Sequence, residues 1–317
     1  MVAREGSMSH RYVVYGAGLS STLEFPELQP APDQEAKWRF AAVAQLSPMR
    51  APVELGTERI YADVHARLFR HAEGHRIIVD DTGAFDIDAD GRRVAWQERA
   101  ESWLDFVRAH LLGRVLAMTM FHDGWLPLHG SAVAVGDGVM AFLAPKGFGK
   151  SSLALALTQQ GARLVTDDTL PVEPSPDAGA PVAWPGVHSL RMRHDAVVAL
   201  GLGVPAHETR EGKWLVTEIP AVRRATEPLP LRAIYLLDPI AASAVAAREL
   251  LPPQLAAIGV VAHVKIGRML GSAAAGAMLE RSALITRRVP VFRLHAPRDL
   301  ARLPDLAATI VQWHGGV

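Results

Sequence analysis

From Arg11 to about Glu98, apolar and polar residues alternate in short runs: RYVVYG, WRFAAVAQL, IYADVHARLFRH, HRIIVDD and GAFDIDA. A period of two is the mark of half-buried strands. Asp-Asp-Thr-Gly at 80–83 and Asp-Ala-Asp-Gly at 88–91 supply hairpin turns between them. FPELQPAPDQ, with its three prolines, reads as a loop. This half of the chain predicts an antiparallel β-rich domain over residues 8–100. The period then lengthens. Leu104, Val107, Leu111, Val115 and Met118 recur at helical spacing, which predicts a helix over Ser102–Met120.

A denser α/β pattern follows, and residues 101–317 read as a second domain. Ser131–Val135 and Val139–Leu143 are short apolar strands joined by Gly136-Asp137-Gly138. Lys150–Gln160 is a helix closed by Gly161, a residue suited to helix ends. Ala162–Thr166 is a buried strand stopped by Asp167-Asp168, and Glu173–Pro185 is a loop rich in Pro, Ala and Gly. Arg232–Leu237 and Pro290–Leu294 read as strands, and Pro253 to about Arg287 as mostly helical. Pro304–Trp313 is a closing helix whose proline sits in the first turn, where a missing N–H does no harm. The small-residue run GSAAAGAM, 271–278, reads as ordinary core rather than a helix-pairing device.

Composition narrows the classes. Nearly half of the 317 residues are hydrophobic and 21% are charged, as in a globular protein with a sizeable core. Thirty-three basic residues balance thirty-three acidic ones, so no nucleic acid or anionic membrane is expected as a partner. The absence of cysteine excludes disulfides, thiol catalysis and cysteine-ligated metals, and fits a cytoplasmic location. MVAREGSMSH lacks the apolar core of a signal peptide, and residues 1–7, which lead into a Gly-Ser-Met junction at 6–8, read as a cloning remnant. The most apolar helical stretch, Trp103–Phe121, carries Arg108, His110 and Arg114, so it is expected to be buried rather than membrane-spanning.

With no global charge, any anion site must be local, and LAPKGFGKSSLALAL (143–157) offers one. Gly147 and Gly149 let backbone N–H groups turn inward around phosphate. Lys150 brings a charge to the β and γ phosphates, and Ser151 offers a hydroxyl to Mg²⁺. The positive end of the following helix points to the same place. Ala144 stands where the usual loop has its first glycine, which is tolerable if its φ is negative. The candidate ATP contacts are Pro145, Lys146, Gly147, Phe148, Gly149, Lys150, Ser151 and Ser152.

Chain lengths place the neighbours. The helix runs roughly 16 Å from the loop at about 1.5 Å per residue. A five-residue strand at about 3.3 Å per residue brings the chain back. Asp167 and Asp168 then emerge beside the phosphates, although an Asp pair there also suits a turn or cap. If the two strands before the loop form a hairpin, His129-Gly130 lies at the same edge. Two adjacent carboxylates can divide between holding a cation and accepting a proton. Arg191, Arg193 and Lys213 suit either phosphate or an acidic acceptor, or are plain surface charge.

The segment LHGSAVAVGDGVMAFLAPKGFGKSSLALALTQQGARLVTDD resembles the catalytic core of the HPr kinase/phosphorylase family: His-Gly before a hairpin, a phosphate loop, then Gly-x-Arg-Leu-Val-x-Asp-Asp. That resemblance spans about residues 125–173. PGVHSLRMRHDAVVALG, PLPLRAIYLLD and VPVFRLHAPRDLARL are similar to HPr-kinase-like peptide kinases, including those acting on lasso-peptide precursors. The resemblance implies a P-loop kinase core of HPr kinase/phosphoenolpyruvate carboxykinase type, ATP and Mg²⁺ as cofactors, and a homo-oligomer. It implies Asp168 as proton acceptor, Lys150 and Ser151 on phosphate and Mg²⁺, Asp167 supporting the metal, and His129 in the active site. The chain departs from the pattern at Ala144 and Lys146, and shows no counterpart of the family's later metal-binding glutamate near Gly186–Arg193. The expected function is ATP-dependent phosphorylation of a serine hydroxyl on a peptide or protein. The alternatives are a small-molecule hydroxyl kinase and a nucleotide-binding regulator without transfer activity.

Overall fold

Period-two alternation near the N-terminus does produce strands, and the computed structural model shows how they join. It describes residues 9–98, 103–174, 179–201, 207–208, 212–217, 219–240 and 245–315. Residues 1–7, read as a cloning remnant, and 175–178 of the Glu173–Pro185 loop lie outside these. The protein is mixed α/β. Its chain divides into two units, residues 1–125 with 265–278 and residues 126–264 with 279–317. Segment 104–122 therefore groups with the first unit, whereas the sequence pattern placed it in the second domain.

Unit 1 holds a nine-stranded sheet. Its strands are β1 (His10–Val14), β2 (Ala17–Ser21), β3 (Gln29–Pro30), β4 (Ala36–Val43), β5 (Val53–Tyr61), β6 (Val64–His71), β7 (Gly74–Val79), β8 (Gly83–Asp88) and β9 (Arg93–Glu98). They lie in the order β3-β1-β2-β4-β9-β8-β7-β6-β5. The two hairpin turns fall where the Asp/Gly pattern places them, between β7 and β8 and between β8 and β9. The expected all-antiparallel pairing needs correction, because β4 runs parallel to both β2 and β9. Parallel neighbours are joined by long connections that leave no local turn signal. IYADVHARLFRH also divides, at a turn where Ala62 has φ +39°, and its first residues close β5. Trp38, Phe40, Phe85 and Trp96 fill the core, and the Trp96 indole donates to the Thr82 carbonyl at 3.0 Å.

Leu104, Val107, Leu111, Val115 and Met118 do lie on a helix. It comprises α1 (Leu104–His110), a π-helical stretch (Leu111–Val115) and α2 (Leu116–His122). All but Leu104, at the helix start, are buried. A π turn loosens the i→i−4 ladder, and the Leu112 carbonyl accepts a 2.6 Å bond from the Tyr15 hydroxyl. Among the described residues no helix is long and apolar enough to cross a membrane.

Unit 2 is built on β10 (Leu126–Leu128), β11 (Gly130–Val135), β12 (Gly138–Leu143), α3 (Lys150–Gln159), β13 (Arg163–Thr166), β14 (Leu170–Glu173) and β15 (Val182–Ala183). A small sheet of β16 (Leu190–Met192), β17 (His207–Glu208) and β18 (Trp214–Val216) follows, with α4 (His194–Ala199) between β16 and β17. The chain continues through β19 (Leu229–Ile240), β20 (Ala247–Leu250) and α5 (Pro253–Val261). Then α6 (Gly267–Leu270) and the start of α7 (Ala275–Thr286) return to unit 1, before β21 (Val291–Pro297) and α8 (Leu303–Trp313) complete unit 2. The main sheet runs β10-β14-β15-β19-β12-β11-β13, with β21 between β19 and β20. The Glu173–Pro185 segment is thus not all loop, since β15 pairs with β14 and β19. Helix α3 is apolar nearly all round and buried from Ser152 to Thr158, as a helix wedged into a core must be. Its core includes Phe142, Leu153, Leu157, Tyr235, Leu306 and Ile310.

Candidate functional site

Three consecutive elements of unit 2 end at one edge. The hairpin of β11 and β12 pairs Gly130 with Leu143, so the chain before β11 meets the chain leaving β12. Gly130 permits that approach, because a Cβ there would stand 2.8 Å from the Phe142 carbonyl oxygen. Strand β13 lies antiparallel to β11 with Thr166 opposite Ala132, which delivers Asp167 and Asp168 beside Ser131 and His129. The hairpin that the sequence argument requires is therefore present.

Between β12 and α3 the loop Pro145–Gly149 is exposed, while Ala144 and Lys150 are buried. Gly147 and Gly149 hold φ of +89° and +86°, a region that L side chains avoid. Ala144 does not adopt positive φ, so replacing glycine there costs the loop nothing in torsion. Gly149 caps α3, whose first intrahelical bond runs from the Leu153 N–H to the Gly149 carbonyl. The first turn of a helix leaves N–H groups without intrahelical acceptors, and here they face the loop. The Lys150 ammonium folds back along it, donating to the Ala144 carbonyl at 2.7 Å and the Pro145 carbonyl at 3.2 Å.

Asp167 is the hub. Its Oδ1 accepts from the buried Ser131 hydroxyl, and the Ser151 hydroxyl lies 3.0 Å from both of its oxygens. Its Oδ2 also accepts the Arg191 backbone N–H at 3.2 Å. Asp168, partly exposed, has φ +76°, one of four non-glycine positive values among the described residues. That turn aims its carbonyl at His129, whose Nδ1 lies 3.0 Å from the carbonyl oxygen and 3.3 Å from the carboxylate Oδ1. His129, Lys150, Ser151, Asp167 and Asp168 thus share one edge. Ser152 is buried within α3, and Lys146 and Phe148 sit in the exposed loop.

The basic residues separate. Arg191 is held against Asp167 through its backbone. Arg193 is exposed and paired to Asp195 at 3.1 Å, a local contact. Lys213 directly precedes β18, whose Trp214 pairs with Met192. Two residues of the edge escape motif reading. Ser131 is the one polar side chain within β11, and that interruption of an apolar strand was its only signal. His263 follows α5 with no spacing signal at all. Its carbonyl accepts the His129 N–H at 2.7 Å, and a bridge between Leu128 and Val264 locks the two segments together. Burial, with the nearby charges of Lys150 and His129, lowers the His263 pKa to about 4.

Fold and site together define a mixed α/β protein whose glycine-rich loop, helix N-terminus and paired aspartates converge on one edge. No protein-family model matches the chain, and no curated protein matches it either. Among solved structures it is similar to the HPr(Ser) kinase/phosphatase from Coxiella burnetii, at 14% identity and a TM-score of 0.31. That similarity covers 59% of this chain and 95% of the other.

Proposed function

We propose that the protein is an ATP-dependent kinase that phosphorylates a hydroxyl, in the first instance a serine of a peptide or protein such as a ribosomally made peptide. One observation carries this reading: Asp167 bonds the hydroxyl that follows the loop lysine, while its neighbour Asp168 is partly exposed at the same edge beside His129. One carboxylate is committed to structure or cation, and the other, 3.3 Å from His129 Nδ1, stands partly exposed at the rim.

Ser151 Oγ and the Asp167 carboxylate are hard oxygen donors already together, which fits Mg²⁺, an ion that takes few protein ligands and keeps water and phosphate oxygens. Among the described residues no cluster of three or more His, Cys, Asp or Glu forms a fuller cage. Magnesium, when bound, neutralises charge on the phosphate oxygens. The loop and the start of α3 then cradle the donor phosphates through backbone N–H groups, and Lys150 supplies the charge. Asp168 accepts the proton of the acceptor hydroxyl as its oxygen bonds to the γ-phosphorus and ADP departs. Assistance of this kind is worth roughly 10²–10⁴-fold. His129, 3.3 Å from the Asp168 carboxylate, orients that base. The open rim formed by Pro145–Gly149 and Asp168 suits a serine carried on a chain.

The test is incubation with Mg-ATP and serine-bearing peptides, following a phosphate's mass gain. Asp168→Asn tolerates positive φ as Asp does, so it is expected to retain nucleotide binding and lose transfer. An Asp168→Asn enzyme of undiminished activity removes Asp168 from this role. Transfer to a metabolite and to no peptide replaces the peptide acceptor with a small-molecule one.

A further inference from the structure

Phosphoryl transfer gathers negative charge on the equatorial oxygens of the γ-phosphate, and a cation there beyond lysine and metal accelerates it. No such arginine is evident in the loop motif. We propose that Arg191, on β16, is that arginine: its guanidinium contacts the γ-phosphoryl group of bound nucleotide. The inference rests on the kinase reading above.

Three observations carry it. The Arg191 backbone N–H is tied to Asp167 Oδ2, and that oxygen lies 3.0 Å from Ser151 Oγ. The strand therefore passes one carboxylate away from the loop hydroxyl. Second, the carboxylate does not need the guanidinium. A carboxylate has about four acceptor positions, and Asp167 meets the Ser131 hydroxyl, the Ser151 hydroxyl with both oxygens, and the Arg191 N–H. Third, among the described residues no carboxylate pairs with the Arg191 side chain, whereas Arg193, two residues on, is held by Asp195. Leu190 and Met192 are buried, while Arg191 between them is half-buried and turned to the other face of the strand. A partly exposed guanidinium with no carboxylate on it is available to a phosphate, and its planar fork suits two phosphate oxygens at once.

The test measures binding of ADP, ATP and ADP with aluminium fluoride, a mimic of the transferring group, by calorimetry with Mg²⁺. Wild type, Arg191→Gln and Arg191→Lys are compared, with Arg193→Gln as a control. Arg191→Gln is expected to bind ADP within about twofold of wild type and ADP-aluminium fluoride at least tenfold more weakly. Arg191→Lys should recover part of the loss, which a purely structural defect would not show. Equal losses for ADP and its fluoride complex, or no loss, overturn the inference. If wild type binds no nucleotide, the kinase reading fails, and this inference falls with it for that separate reason.

Discussion

Between pH 7 and pH 4 the charge on His263 reports how dry the candidate site is. In the unfolded chain this imidazole titrates near 6.5, whereas the fold lowers it to about 4, first by burial and then by the charges of Lys150 and His129. The folded state therefore prefers the neutral ring. Its contribution to stability is complete above pH 6.5, shrinks as pH falls, and is gone below about 4, because the unfolded chain takes up the proton first. At 1.36 kcal/mol for each pKa unit, a wholly dry site would be worth ~3 kcal/mol. His263 keeps part of its surface in water, so screening reduces the expected effect to about 1–1.5 kcal/mol. The assay is histidine-ring NMR across this range, with His263→Asn identifying the resonance. A midpoint near 4 is expected, together with denaturant stability that rises from pH 4.5 to 6.5 more steeply in wild type than in the variant. A midpoint at or above 6.5 refutes the argument. It would mean that water reaches the ring, and that the pairing of His129 with the His263 carbonyl does not close this side of the edge.

Two further substitutions probe the same edge. Ser131→Ala removes a fully buried donor from the Asp167 carboxylate. Hydrogen bonds to charged groups are worth ~1.5–3 kcal/mol, so hydrogen exchange in β11 and β13 should accelerate by one to two orders of magnitude, and unchanged exchange would contradict the hub. Gly149→Ala meets no neighbour within 4 Å but must adopt φ +86°. It is expected to lower stability by about 1 kcal/mol and to weaken ADP binding. Calorimetry showing wild-type affinity would dissociate the loop's torsion from phosphate binding.

What the sequence makes legible is what neighbouring residues decide. The β11–β12 hairpin announces itself through Gly136-Asp137-Gly138, and α3 through Gly149 at one end and Gly161 at the other. Placing Asp167 and Asp168 at the loop needs only chain lengths. Pairings without a turn to advertise them are another matter. Nothing near Ala36–Val43 says that β4 slots parallel between β2 and β9. Strand β5 hides because no residue in it is fully buried, so its alternation is weak. Strand β10 is three residues long, too short for any period. His263 lies 134 positions from His129 and reaches it only because β10 bridges to the end of α5. Side chains recruited by distant backbone carry no spacing of their own.

The return of residues 265–278 to unit 1 sets an order of events during synthesis. Strand β5 closes one side of its nine-stranded sheet, and the 267–271 segment presses so closely on it that a Cβ on Gly56 would stand 2.6 Å from the Arg268 carbonyl oxygen, and one on Gly271 2.5 Å from that of Leu55. On the ribosome, all of β1–β9 emerges more than a hundred residues before that cover is made. Met269 and Leu270 of the 267–271 segment are buried, and the apolar surface they cover stays open to other chains until they arrive. The nascent protein therefore spends the translation time of β10–α5 with its first sheet unfinished, and a gene cut after residue 125 would leave it so permanently. Slow codons or arrested ribosomes in that interval should favour aggregation far more than the same delays placed after residue 278.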